Sequence, residues 1–167
     1  MSLLPVVRWP DPRLSTPCAP AGAPDDSLRR LAADMLETMY AAPGRGLAAP
    51  QVGVLRRIFV MDIAWKEGAP EPMVFLDPEI TWTSPETRVG PEGCLSIPGV
   101  VAEVARAAEV ELCWRDLDGV RQARRFDGLA SICIQHEPDH LGGLVTFDRV
   151  SPEGRAALEA AYAQVPA

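Results

Sequence analysis

At 167 residues, with 47% hydrophobic and 23% charged side chains, the chain has the size and balance of one globular domain with one sizeable core. Its formal net charge of −7 argues against stable nucleic-acid binding, although a local basic patch stays compatible with a nucleoprotein surface. No run is long and apolar enough to span a bilayer, and residues 1–10 show no secretory signal, so a cytoplasmic location and no membrane association are expected. The four cysteines, Cys18, Cys94, Cys113 and Cys133, form no C-x-x-C pair. In a reducing compartment each is core filling or chemistry rather than half of a disulfide.

Residues 1–24 carry proline at positions 5, 10, 12, 17, 20 and 24. Proline lacks an amide hydrogen and restricts its predecessor, so this arm reads as an extended strap across the surface. Asp25, Asp26 and Ser27 are N-cap candidates for a helix over 26–41, with Leu28, Leu31, Ala32, Met35, Leu36 and Met39 on its apolar face. Pro43 and Gly44 stop it.

Gly44-Arg45-Gly46-Leu47-Ala48-Ala49-Pro50-Gln51-Val52-Gly53 follows. Two glycines bracketing one residue let backbone approach a ligand, but the stretch is neither a Walker loop nor a dinucleotide fingerprint. Taken alone it reads as a turn between helix and strand. Strands are expected at 58–62 and 73–76, the second continuing past Asp77-Pro78 into 80–83. The segment 90–99 is turn-rich and carries Cys94. Three more strands are expected at 100–104, 109–114 and 120–126, the last two joined by a hairpin at Asp118-Gly119.

Asp127 is positioned to cap a helix beginning at Gly128. On it, Leu129, Ile132, Cys133 and His136 share a face with His140, which places the histidines inward. A last helix, with Ser151 as N-cap and Pro152 at its first position, is expected to run to about Gln164 and bury Leu158 and Tyr162. The fold class is α+β: antiparallel strands packed around a buried helix, with an N-terminal and a C-terminal helix, in one domain over 1–167.

Both histidines of the chain lie in Gln135-His136-Glu137-Pro138-Asp139-His140. At i and i+4 on a helix, two imidazoles can reach one metal ion, and the adjacent glutamate can serve a metal-bound water as base. The pair alone also fits a polar patch or a structural metal site. Cys94 alone reads equally as a ligand or as core filling.

The stretches Gly44 to Gln51, Glu92 to Ser96 and Gln135 to His140 stand in one order, and together they resemble the peptide deformylases. That family carries G-L-A-A-x-Q, E-G-C-L-S and Q-H-E-x-D-H motifs, and all three occur here. The Trp9-Pro10-Asp11-Pro12-Arg13-Leu14 start and the hairpin at 116–119 are also similar to the family. The resemblance implies removal of the N-formyl group from formyl-methionine on newly made polypeptides. Formylated nascent peptides are thus the implied partners, with room for a transient ribosome contact.

It also implies the site. Cys94, His136 and His140 would hold one divalent ion, ferrous iron first and zinc second, with a fourth position open. A thiolate donates charge to the ion and weakens it as a Lewis acid, so activation by Glu137 matters more. The Gln51 amide and the Leu95 backbone N–H are the implied oxyanion donors. The segment Gly44, Arg45 and Gly46 would pair with the peptide, and Leu129, Ile132 and Cys133 would line the methionine pocket.

The chain departs from the family's pattern at several positions. Arg45 stands where an Ile or Val usually walls the pocket, and Gly90 where a bulky apolar residue is common; both are expected among the substrate-binding residues, widening or polarising the pocket. Val101 replaces an arginine, while Arg106 is placed to pair with Glu92. Pro138 interrupts the helix, leaves the Ile134 carbonyl without its usual partner and is expected to shift His140 relative to His136. Two other functions compete. One is a zinc protease using His136, His140 and Glu159. The other is a deformylase-like protein with altered substrate preference or no catalysis.

Overall fold

A computed structural model describes residues 2–166. The Asp25 side chain accepts from Leu28 N and starts helix α1, Asp26–Ala41. Leu28, Ala32, Met35 and Met39 are buried on its inner face, while Leu31 and Leu36 are half-buried against the same cluster. Thr38 is buried too: its hydroxyl donates to the Asp34 carbonyl at 2.7 Å and accepts the Leu4 N–H at 2.9 Å.

Five antiparallel strands form the main sheet in the order β1-β2-β3-β6-β7. They are β1 Gly46–Ala48, β2 Ile58–Met61, β3 Met73–Thr83, β6 Glu109–Arg115 and β7 Arg121–Asp127. β3 does run through Asp77-Pro78, as the pattern suggests, with its register against β6 shifted there. Pro78 has no N–H to give a ladder, and Asp77 takes φ 48°, a conformation aspartate tolerates better than bulky residues. The Asp77 carboxylate then accepts from Ala21 N at 2.7 Å and pairs with Arg115, which ties the strap to the bulge. In the β6–β7 turn, Gly119 takes φ 77° and the Asp116 carboxylate accepts the N–H groups of Asp118 and Val120 at 2.9 Å each.

The turn-rich reading of 90–99 is corrected. Thr87–Cys94 is a strand, β4, and it pairs with Ile97–Ala107, β5, in a separate two-stranded ribbon. Two glycines and a proline give β4 little intrinsic strand preference, but the long register with β5 overrides it. Only the 95–96 turn remains of the expected loop. Likewise the 44–53 stretch is not a plain turn: it supplies edge strand β1 and a 3-10 turn, Ala49–Val52.

Helix α2, Gly128–Leu141, packs on the inner face of the main sheet. Cys133, Ile134 and Leu141 join Phe59, Phe75, Leu112, Trp114 and Phe126 in one cluster. Asp127 stands at its N-cap without the side-chain bond expected of it, and Gly128 has φ 54°. The helix passes through Pro138 without ending. The terminal helix α3, Pro152–Tyr162, is capped by Ser151 as expected but stops short of Gln164. Leu158 and Tyr162 are half-buried rather than buried; they pack beside Trp9 and Phe147.

The N-terminal strap does more than cover surface. Val7 N donates to Gln51 O at 2.7 Å, Trp9 N to Ser96 O at 2.9 Å and Cys18 N to Leu141 O at 2.9 Å. It therefore touches the backbone of the 3-10 turn, of the β4–β5 turn and of the end of α2.

Candidate active site

Those three segments converge on a cleft of about 630 Å³. The last residue of β4 is Cys94, and α2 presents His136 and His140 one helical turn apart, with Glu137 next to the first. His136 Nε2 lies 3.2 Å from His140 Nε2, which lies 3.3 Å from Cys94 Sγ. All three donor atoms fall within 4.8 Å of one another. Pro138 thus does not keep His140 from joining the other two ligands.

One thiolate and two imidazoles suit a borderline or soft divalent ion, and three protein ligands leave a coordination position for substrate or water. The residues fit a catalytic metal. Glu159 has no part in it: it sits on α3 and accepts from Arg155 Nε at 2.6 Å.

The second layer of contacts sets the ring orientation. His136 Nδ1 lies 3.0 Å from Glu92 Oε2, which turns Nε2 toward the ligand cluster. Arg106 reaches Glu92 twice, Nε to Oε1 at 2.7 Å and Nη2 to Oε2 at 3.0 Å, so the expected pair is present. Arg106 Nη1 also donates to Asp139 Oδ2 at 2.7 Å, and Arg149 Nε donates to the same oxygen at 2.9 Å. Burial works upward on Glu92, but its bonds to His136 and Arg106 outweigh this and hold its pKa at about 2. Burial above all keeps His140 well below the usual imidazole range, the neutral state a ligand needs.

Glu137 is buried, and its Oε2 has no hydrogen-bond partner among the described residues. Burial pushes its carboxyl up to about 7. Gly46 explains how β1 passes so close: a Cβ there would lie 2.4 Å from Glu137 Oε1 and 2.6 Å from Cys133 Sγ. Gln51 is buried on the 3-10 turn, its Oε1 accepting Ala48 N at 2.9 Å. That bond directs Nε2 toward Ser96 Oγ at 3.2 Å and Cys94 Sγ at 3.6 Å.

Gly44, Arg45, Gly46, Leu95, Leu129, Ile132 and Cys133 all line the cleft. Gly90 does not: it lies on β4 opposite Val104, outside the lining, because the strand pairing carries it away from the mouth. Leu129 is not core, being 46% exposed at the rim. Sequence reasoning missed Glu67, whose carboxylate holds Arg45, and Trp65, whose Nε1 donates to Gly44 O at 2.9 Å. Their only local signal is a loop, and their partners are about twenty residues away.

Comparison with known proteins agrees with this geometry. The polypeptide deformylase family model matches residues 3–156. A peptide deformylase of Zymomonas mobilis is 46% identical over 162 residues, covering 95% of this chain and 92% of that protein. A peptide deformylase-like protein of Bradyrhizobium diazoefficiens is 46% identical over 158 residues, covering 95% and 91%. Among solved structures, a Synechococcus elongatus peptide deformylase in complex with actinonin superposes with a TM-score of 0.89 at 39% identity, covering 94% of this chain and 86% of that one. A Legionella pneumophila peptide deformylase gives 0.90 at 35% identity, covering 99% and 100%. The chain belongs to the polypeptide deformylase family.

Proposed function

We propose that this protein is a metal-dependent amide hydrolase that removes the N-formyl group from the formyl-methionine of new polypeptides. The observation that carries the reading is the convergence of Cys94, His136 and His140 beside the buried carboxylate of Glu137, whose Oε2 has no partner among the described residues, in one cleft. A divalent ion on those three ligands would supply an acidified water and polarise the formyl carbonyl. Ferrous iron is our first assignment and zinc our second, since both accept one thiolate and two imidazoles.

The chain's own groups divide the remaining work. Glu137 takes a proton from the attacking water and returns one to the leaving amine, its place in α2 beside His136 putting the carboxylate next to the ligand cluster. Gln51 Nε2 and the Leu95 N–H donate to the formyl oxygen as it gains charge. The 44–46 segment offers backbone to the peptide at the sheet edge. Leu129, Ile132 and Cys133 receive the methionine side chain.

Formylated nascent chains imply a cytoplasmic enzyme, which the four free thiols suit. No described helix is long and apolar enough to cross a membrane. Any ribosome contact would be transient; α3, with Glu153 and Glu159 against Arg155, offers RNA no net positive charge. The test is anaerobic purification, metal analysis and turnover of formyl-Met-Ala beside formyl peptides with other first residues. Formate release favouring methionine is expected; a metal-loaded chain that releases none contradicts the reading.

A further inference from the structure

Arg45 belongs to the cleft wall, yet its charge is spent outside the pocket. Nη1 donates to Glu67 Oε2 at 2.8 Å and to the Ile63 carbonyl, and Nη2 donates to Glu67 Oε1 at 2.5 Å. A fork-to-fork pair with a third acceptor fixes direction as well as charge. Lone exposed ion pairs contribute little, but here the whole 62–67 loop supports the geometry. Lys66 Nζ donates to Pro43 O at 2.5 Å, Trp65 Nε1 to Gly44 O at 2.9 Å and Asp62 N to Arg45 O at 2.9 Å. Asp62 is itself anchored by the Tyr40 hydroxyl at 2.6 Å.

The carbonyls at 43, 44 and 45 are thus all engaged by this loop. At Gly46, the next residue, a Cβ would meet Cys133 Sγ at 2.6 Å and Glu137 Oε1 at 2.4 Å, so the chain runs close to both only because no side chain is there. A guanidinium released from Glu67 lies within electrostatic reach of Asp62 on the loop side and of the Cys133 thiol on the cleft side. An arginine side chain can lay its methylene stem on an apolar wall while its charged end points elsewhere.

We propose that Glu67 is a specificity-determining positioning residue. By holding the Arg45 guanidinium on the 62–67 loop, it leaves only the aliphatic stem facing the cleft. The site therefore accepts an unbranched apolar first side chain and refuses an acidic one. This rests on the deformylase reading above. The test compares metal-loaded parent, Glu67→Leu and Arg45→Leu/Glu67→Leu on formyl-Met-Ala and formyl-Glu-Ala.

In Glu67→Leu, KM for formyl-Met-Ala is expected to rise about tenfold with kcat within about twofold, as lost ground-state binding requires. The preference over formyl-Glu-Ala should narrow by about tenfold, the scale of one altered pocket contact. Removing Arg45 as well should recover most of the loss, which a merely structural glutamate would not permit. Unchanged selectivity in Glu67→Leu, or no recovery in the double variant, overturns the proposal. A parent that turns over neither peptide contradicts the deformylase reading separately. The same three proteins, zinc-loaded, are then compared by calorimetric binding of the product Met-Ala, which they cannot deformylate. Equal affinities, or no binding at all, overturn the role of Glu67.

Discussion

Gln51 shows how a short turn can aim one donor. Its carbonyl oxygen is consumed by Ala48 N, so its amide N–H groups have only the cleft side left to serve. Gln51→Leu keeps the volume and removes those donors. We expect kcat to fall by about a hundredfold or more with metal content unchanged, read by turnover and metal analysis on the same sample. Full activity would remove Gln51 from the mechanism. Arg106 tests the layer behind the ligands. Its side chain is 6% exposed and neutralises Glu92 and Asp139 together. Arg106→Leu strands buried carboxylates, with an expected loss of about 3–5 kcal/mol in denaturant unfolding. It should also weaken zinc affinity about 10–100-fold, because Glu92 then loses its hold on His136. A variant with parental stability and affinity would show that Glu92 needs no guanidinium.

Among the elements, α2 carries the local conflict. Pro138 cannot donate to Ile134 O, yet the helix continues to Leu141 because Cys133, Ile134 and Leu141 anchor it in the core on both sides. Pro138→Met restores the missing bond, and we expect it to raise stability by up to about 3 kcal/mol. Thermal unfolding that is unchanged or earlier would show that the proline is unstrained. Where α1 meets the 62–67 loop, the Tyr40 hydroxyl donates to Asp62, and burial followed by that bond pushes the phenol well above its ordinary value. The folded state thus holds this proton more tightly than the unfolded one. Its contribution is whole below the ordinary tyrosine pKa of about 10 and fades as pH rises beyond it. Urea midpoints should fall from pH 8 to 10.5 less steeply in Tyr40→Phe than in the parent. Identical slopes would assign the alkaline loss to other groups.

At the scale of the molecule, legibility followed locality. Both long helices, the Asp25 cap and the β6–β7 hairpin carry their information within a few residues, and so do His136, Glu137 and His140. β4 does not: Gly90, Pro91 and Gly93 are strand only because β5 lies beside them. The placement of Gly90 outside the cleft, the half-burial of Leu158 and Tyr162, and the grip of Glu67 on Arg45 all depend on distant partners. The joining of Cys94 to the histidines came from the resemblance, since nothing in the spacing of 94 and 136 requires contact. It is the strap that gathers these distant pieces, bonding to Gln51, Ser96 and Leu141 in turn.

The most direct measurement is X-ray absorption at the zinc edge of the chain loaded with one equivalent of zinc. The account predicts one sulfur at about 2.3 Å and two imidazole nitrogens at about 2.0–2.1 Å, with the remaining shell filled by light atoms. The sulfur should vanish in Cys94→Ser. A shell of nitrogen and oxygen alone in the parent, or sulfur retained without Cys94, would contradict it.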